Sequence, residues 1–345
     1  MEHTDVVIVG AGPIGLETAA ALKQASVDAI VLDGGAVGNT IFTQFPHQTR
    51  FFSSPERLHI ANVAMPSDAG EKPTGDAYLA YLRSVIDTLA LDVRTFQRVT
   101  DARHKDGVWH VHTRSPSGIE STFIARHIVL ATGGTQTCRT LGVPGEDMPH
   151  VHRFLGDPHR FFRRRVLVVG GRNSAIESAL RLYRVGASVT LSYRGEGLHE
   201  RVKYWLRPEV QALIDEGRIR GLMPTVVKRI EAGQVLLKNC NCDETQKIEV
   251  DDILLQLGFE QDASTLQMFG VEVDAQTNAP TFDEGTLQTT SPGVFVAGTA
   301  TAGTQQRFRV YIETSHVHAA RITSAITGGP PPGESDYPVR LLPES

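Results

Sequence analysis

Two short, wholly apolar runs, each followed by a glycine-rich turn and then a helix-forming stretch, organise this chain. Asp5-Val-Val-Ile-Val-Gly10 is β-branched and lacks polar alternation, the pattern of a strand covered on both faces of a parallel sheet. Gly12-Pro13-Ile14-Gly15 turns the chain, Leu16–Lys23 has helix-forming composition, and Val27–Asp33 predicts a second buried strand. The same order returns in Arg165–Gly170, Asn173–Arg184 and Ser188–Ser192, as strand, helix and strand. Two units so far apart predict an α/β protein with two Rossmann-like, three-layer nucleotide-binding domains rather than one long sheet.

Between them the period changes. Val108-Trp-His-Val-His112 alternates, and Ser121–Leu130 runs from a β-meander into a buried strand that ends in Ala131-Thr132-Gly133-Gly134. After the second unit, Val235–Lys238 and Gln246–Val250 predict a hairpin with Cys240 and Cys242 in its turn. Asp252–Gly258 predicts another buried strand. Thr290–Gly298 predicts a turn into a short strand, and Val310–Ile326 a helix. The Gly328–Gly333 tail breaks regular structure.

Composition narrows the classes. At 345 residues the chain has room for about two domains, and 41% apolar against 21% charged residues supports full cores without metal or disulfide staples. A net charge of −5 argues against nucleic acid as a partner. Three cysteines, Cys138, Cys240 and Cys242, do not make a disulfide framework. The acidic N-terminus and the glycine-broken first apolar run predict neither a leader nor a membrane span, hence a cytoplasmic protein.

The chemistry lies in the turns. Gly10-x-Gly12-x-x-Gly15 follows a strand, opens a helix, and is followed by Asp33 at the end of the next strand, 23 residues after Gly10. Gly10 permits the turn, Gly12 lets a diphosphate reach the backbone, Gly15 lets helix and strand pack, and the helix N-terminus faces the phosphates. Asp33 can accept from ribose hydroxyls and repels a 2′-phosphate, so this site predicts FAD or NAD. The second turn reads Gly170-Gly171-Arg172-Asn173-Ser174-Ala175, with arginine in place of the second glycine of the motif. Arg194 stands 24 residues after Gly170, where an acid would select NAD. An arginine there offers charge-assisted hydrogen bonds to a 2′-phosphate, which predicts NADPH.

In this order (first glycine motif, Ala131–Gly134, second motif, Thr290-x-x-Gly-Val-Phe-x-Ala-Gly298) the chain resembles the thioredoxin-reductase-like flavoproteins over nearly its whole length. Phe51–Leu58, Val143–Glu146, Gly170–Ala175 and Val202–Pro208 resemble the bacillithiol-disulfide-reductase branch. The resemblance implies an FAD domain over 1–145 and 250–345 with an NADPH domain, 146–249, inserted in it, and a homodimer. It implies that Gly10, Gly12, Pro13, Ile14, Gly15, Asp33, Asn39, Thr40, Gln44, Val99, Ala131, Thr132, Gly133, Gly298 and Thr299 hold FAD. Gly170, Gly171, Arg172, Asn173, Ser174, Arg194 and Lys203 would hold NADPH. The flavin ring would be gripped by the segment from Gly38 to Phe52, with N–H groups near Gly298–Thr299 and the last helix meeting its developing negative charge.

Three departures bear on the electron exit. Thioredoxin reductases carry a Cys-x-x-Cys shortly before the NADPH motif; here His150–His159 contains no thiol. The branch's glycine-motif cysteine is Ile14, and the superfamily's ribityl-binding aspartate is Thr299. The three cysteines present read as ordinary thiols. His150/His152 and His316/His318, spaced i, i+2, suit no common metal motif; the latter pair is expected at a dimer surface or in solvent. His47 could donate a proton beside the flavin or be an ordinary loop residue. The chain is thus expected to pass hydride from NADPH to flavin N5 and on to a small acceptor, such as a low-molecular-weight disulfide. Two alternatives stay open: a ferredoxin–NADP reductase using the basic Arg160–Arg165 stretch as its docking rim, and a non-catalytic flavin/NADP sensor.

Overall fold

The computed structural model describes residues 1–46, 48–67, 70–305 and 309–330. They form two compact units: Met1–Thr137 with the described residues from Phe259 onward, and Cys138–Gly258.

In the first unit the strands Asp92–Arg94, Ala29–Leu32, Glu2–Val9 and Glu120–Leu130 lie side by side and parallel. The long Glu120–Leu130 strand changes partner along its length. Its first half pairs antiparallel with Val108–Arg114, and its last residues, Ile128–Leu130, pair parallel with Val294–Val296. This is why its sequence passes from alternating to continuously apolar. Val6 and Ile8 face the helices Pro13–Gln24 and Gly75–Leu89, while Val7 and Val9 pack toward Trp109 and Phe269. Register brings Leu32, Val9 and Leu130 level. The carboxyl ends of three parallel strands therefore open at one edge, where Gly10, Asp33 and Ala131 follow them.

The second unit has a parallel five-stranded sheet in the order Arg220–Leu222, Ser188–Ser192, Arg165–Val169, Asp252–Leu255, Val151–His152. Helices Asn173–Arg184 and Arg207–Asp215 cover one face. The antiparallel sheet Thr225–Glu231, Gln234–Asn239, Thr245–Glu249 covers the other through Val227, Ile230, Leu237 and Ile248.

The expected boundaries near 145 and 250 fall inside the second unit. Glu146 accepts from the N–H groups of Leu141 and Gly142 at 2.8 and 2.7 Å and from Arg153, binding that segment to the second unit. The strand Asp252–Leu255 sits centrally in the second sheet; a buried apolar run identifies an inner strand without saying of which sheet. The last helix runs His316–Thr327 rather than from Val310. Gln305 accepts from the N–H groups of Arg309 and Val310, and Ser315 donates to Tyr311 O, local bonds that compete with an earlier helical start.

Candidate nucleotide sites

At the first turn the glycines have separate duties. Gly10 has φ +118°, and a Cβ there would stand 2.4 Å from the Ala131 carbonyl oxygen. A Cβ on Gly15 would stand 2.0 Å from Gly10 O. Where a Gly12 Cβ would stand, no atom of the described residues beyond its chain neighbours lies within 4 Å, so the backbone there is open to a ligand. Pro13 begins the helix and no side chain caps it, leaving its first N–H groups for an anion. Asp33 accepts from Ala11 N–H and Gly35 N–H, one on each oxygen, both at 2.8 Å. Each oxygen keeps a lone pair for a ribose hydroxyl. Burial pushes its carboxyl up, against the pull of those two bonds and of Arg98.

The later segments of this site converge on the same edge. Thr132 Oγ1 is buried and has no hydrogen-bond partner among the described residues. Gly133 has φ +81° and lies beside Thr299 Oγ1, and Gly134 beside Thr299 O. A Cβ on Gly298 would meet Ile14 Cβ at 3.2 Å. The residue standing where the related branch has its thiol is therefore packed against the second flavin segment. The open cradle at Gly12 and the unpaired Thr132 hydroxyl fit an extended dinucleotide such as FAD.

Other expected residues take different parts. Gln44 donates its amide to Thr135 O at 2.7 Å, tying down the helix Asn39–Gln44. Asn39 folds back on the Gly35 loop. Thr40 is half-buried on that helix, and Val99 packs at the edge of the Trp109–Phe269 core. Gly298 N–H donates to His318 Nδ1 at 3.0 Å, so the donor expected to face the flavin is engaged within the protein. Burial, then Arg321 and His316, push His318 down to about 4, which keeps that ring neutral and accepting. His316 is 2% exposed and bonded on both nitrogens, contrary to the expected surface position. His47 lies outside the described residues.

The second turn is built otherwise. Gly170 has φ +147°, with Gln256 O 2.4 Å from where its Cβ would be. Gly171 is covered: a Cβ would stand 2.4 Å from the Tyr193 ring, and one on Gly195 would stand 2.5 Å from it. Arg172 is extended and exposed at the start of the helix Asn173–Arg184, beside exposed Ser174. Asn173 Oδ1 accepts from Lys203 N–H at 2.9 Å, and the Lys203 ammonium lies 5.4 Å from the Trp205 ring. Burial, then Arg172 and Arg201, with a smaller push from Arg207, hold His199 below its ordinary value against Glu200. These cations crowd one loop. Arg194 is exposed and makes no hydrogen bond or ion pair among the described residues. The donor set fits a phosphorylated nucleotide such as NADPH, reached at Arg172–Ser174 and Arg194.

No reactive cysteine pair accompanies these turns. Cys240 and Cys242 are exposed and Cys138 half-buried, none in a disulfide. Burial raises the Cys138 thiol, with Arg153 opposing, which disfavours its thiolate. Among the described residues no group of three or more His, Cys, Asp or Glu side chains could hold a metal. No described helix is long and apolar enough to cross a membrane. Arg98, Tyr193 and the part His318 plays, bonded to Gly298 N–H rather than at a surface, escaped the sequence reading. Each acts through a neighbour remote in sequence or through ring packing, for which no local motif exists.

Residues 7–298 match the family described as pyridine nucleotide-disulphide oxidoreductase, and the chain belongs to that family. It is 34% identical to bacilliredoxin reductase Bdr of Bacillus subtilis (strain 168) over 94% of this chain and 98% of the relative. The solved bacillithiol disulfide reductase Bdr (YpdA) from Bacillus cereus superposes with a TM-score of 0.89 at 31% identity, covering 95% of this chain and 99% of that one. A ferredoxin–NADP reductase of Ignicoccus hospitalis is more distant, 25% identical over 86% of this chain and 90% of its own. The protein is an NADPH-dependent flavin oxidoreductase with FAD and NADPH as cofactors.

Proposed function

We propose that this enzyme draws hydride from NADPH held at the second turn and delivers the electrons, through FAD held at the first, to a low-molecular-weight disulfide. FAD supplies the two-electron chemistry. The chain's own part is to seat a diphosphate over Gly12, hold a ribose on Asp33, and hold a 2′-phosphate on Arg194. A disulfide of the bacillithiol kind is the preferred acceptor. The observation that carries this is the near-complete superposition on a bacillithiol disulfide reductase, in a chain with no Cys-x-x-Cys for passing electrons to a protein disulfide. With Ile14 at the thiol position, reduction is direct rather than relayed through a cysteine of the glycine motif.

The ferredoxin reading draws on the Arg160–Arg165 stretch, and that stretch is largely consumed. Arg165 holds Asp251 at 2.7 Å and, with its backbone N–H, brings that carboxyl down to about 2; Arg164 bonds Asp252. Arg160 and Arg163 lie on Phe161 and Phe162 at 5.0 and 5.1 Å. A homodimer and a cytoplasmic location belong to the same proposal; light scattering in solution tests the first.

The test is an anaerobic NADPH titration followed by an acceptor comparison. NADPH should bleach the flavin band, and bacillithiol disulfide should restore it faster than ferredoxin or quinone. A flavin that never bleaches indicates a sensor, and turnover with ferredoxin alone overturns the disulfide assignment. Replacing each cysteine by serine should leave turnover unchanged.

A further inference from the structure

Arg194 has an acid close behind it in the chain. Glu196 follows by two residues, a spacing at which long side chains reach one another. Elsewhere in this protein Arg94–Asp92, Arg103–Asp101, Arg218–Glu216 and Arg229–Glu231 close at 2.5, 2.8, 3.1 and 3.6 Å. Arg194 makes no such pair among the described residues. The Glu196 carboxylate is engaged by Asn241 instead, whose side-chain N–H donates to Oε1 at 2.8 Å. That carboxylate has no other hydrogen bond or ion pair among the described residues.

Both ends of that bond are fixed to one short stretch of chain. Tyr193 N–H donates to Leu222 O at 3.2 Å, and Tyr193 O accepts from Thr225 N–H at 2.8 Å, which anchors the loop carrying Arg194 and Glu196. Cys240 N–H donates to Pro224 O at 3.0 Å, and Asn241 N–H donates to Asn239 Oδ1 at 2.8 Å, which anchors the hairpin turn carrying Asn241. Residues 222–225 thus set loop and turn side by side. A carboxylate free to swing onto Arg194 would occupy the guanidinium and repel a 2′-phosphate, as the acid of a NAD-selective turn does. A ribose with a bare 2′-hydroxyl meets no such repulsion.

We propose that Asn241 is a positioning residue that holds Glu196 off Arg194 and so keeps this site selective for NADPH over NADH. The inference rests on Arg194 meeting the 2′-phosphate. The test follows anaerobic flavin reduction in the holoenzyme at varied NADPH or NADH, which needs no acceptor, with melting temperature measured beside it. Asn241→Ala should raise the NADPH concentration for half-saturation about fivefold, the upper range of an exposed ion pair. Its limiting rate and its NADH saturation should stay as they are. Asn241→Ala with Glu196→Gln, which removes the charge Asn241 restrains, should recover most of the NADPH loss. Unchanged NADPH saturation in Asn241→Ala overturns the proposal. So does equal weakening toward both nucleotides, the mark of a merely structural turn. A double variant as weak as Asn241→Ala overturns it too, because the loss would not pass through the Glu196 charge. Asn241→Ser carries the same expectations if Asn241→Ala does not fold. Arg194→Ala that keeps the natural preference for NADPH refutes the phosphate site on which the proposal rests, a result distinct from those above.

Discussion

The two glycine turns share a plan and differ at one atom's worth of space. At the first, the glycine over the helix start is bare, with no atom of the described residues beyond its chain neighbours within 4 Å of where a side chain would begin. At the second, the Tyr193 ring covers Gly171 and an exposed arginine stands at the start of the helix. The first admits a ligand onto backbone and compensates with a neutral interior: His318 uncharged, Asp33 satisfied by backbone, Glu17 paired with His316. The second offers cations at its surface and little open backbone. A tightly held cofactor needs the first arrangement. A nucleotide that must arrive and leave each turnover is served by the second, because surface charge raises association more than it deepens binding.

The largest effect expected from this contrast is at Gly12. Gly12→Ala meets no atom of the described residues, so apoprotein unfolding should shift by less than about 0.5 kcal/mol. FAD affinity should fall by at least about a hundredfold, ~3 kcal/mol, because the added methyl occupies the diphosphate's approach. Fluorescence titration together with urea unfolding checks both halves. Lost stability with unchanged affinity would show that the open space is not the cradle.

His318 provides the next test. Its folded value of about 4 lies below the ordinary 6.5, so between those values the unfolded chain binds the extra proton and the folded chain does not. Stability contributed by the neutral ring is therefore complete above pH 6.5 and is lost as pH falls toward 4, roughly 3 kcal/mol in all. His318→Gln, which keeps an acceptor for Gly298 N–H, should flatten that part of the apoprotein's stability profile. An unchanged profile would show that His318 does not set it.

These features differ in how far the sequence shows them. The strands before each turn are legible because burial on both faces leaves an unbroken apolar run, and the glycines because steric contacts with Ala131, Gly10 and Gln256 allow nothing larger. The helix Gly75–Leu89 carried a readable signal that went unused: Thr74 as a capping residue, accepting from Ala77 N–H, before apolar Tyr78, Leu79, Leu82 and Val85. Glu17 and His316, separated by 299 residues, have no such signal, since their partnership exists only after the last helix docks. Arg98 likewise reaches Asp33 from the meander. The sequence thus shows which atoms must be small and which surfaces apolar, but not which charges are cancelled.

A moderate effect is expected at Arg194. Arg194→Ala removes a cation without an internal partner, so folding should be untouched. KM for NADPH should rise about tenfold to thirtyfold, up to ~2 kcal/mol, the range of one charge-assisted hydrogen bond. The kcat should be retained, and KM for NADH should stay as it is. Added salt should weaken NADPH binding to the natural chain more than to the variant. Equal losses with both nucleotides would place Arg194 at the diphosphate instead of the 2′-phosphate.

The smallest effect probes the covered turn itself. Gly171→Ala drives a methyl into the Tyr193 ring, 2.4 Å from its nearest atoms, and the ring can yield only partly because Gly195 also lies against it. Destabilisation of about 1–2 kcal/mol is expected in urea unfolding, within the range for overpacking. Tyr193→Ala in the same chain should return most of it, a coupling of about 1 kcal/mol. NADPH binding then separates two roles for the ring. If Tyr193→Ala alone tightens NADPH binding, the ring obstructs the turn and must move to admit the nucleotide. If binding weakens with folding intact, the ring supports the nucleotide where it stands, and the second turn is as preformed as the first.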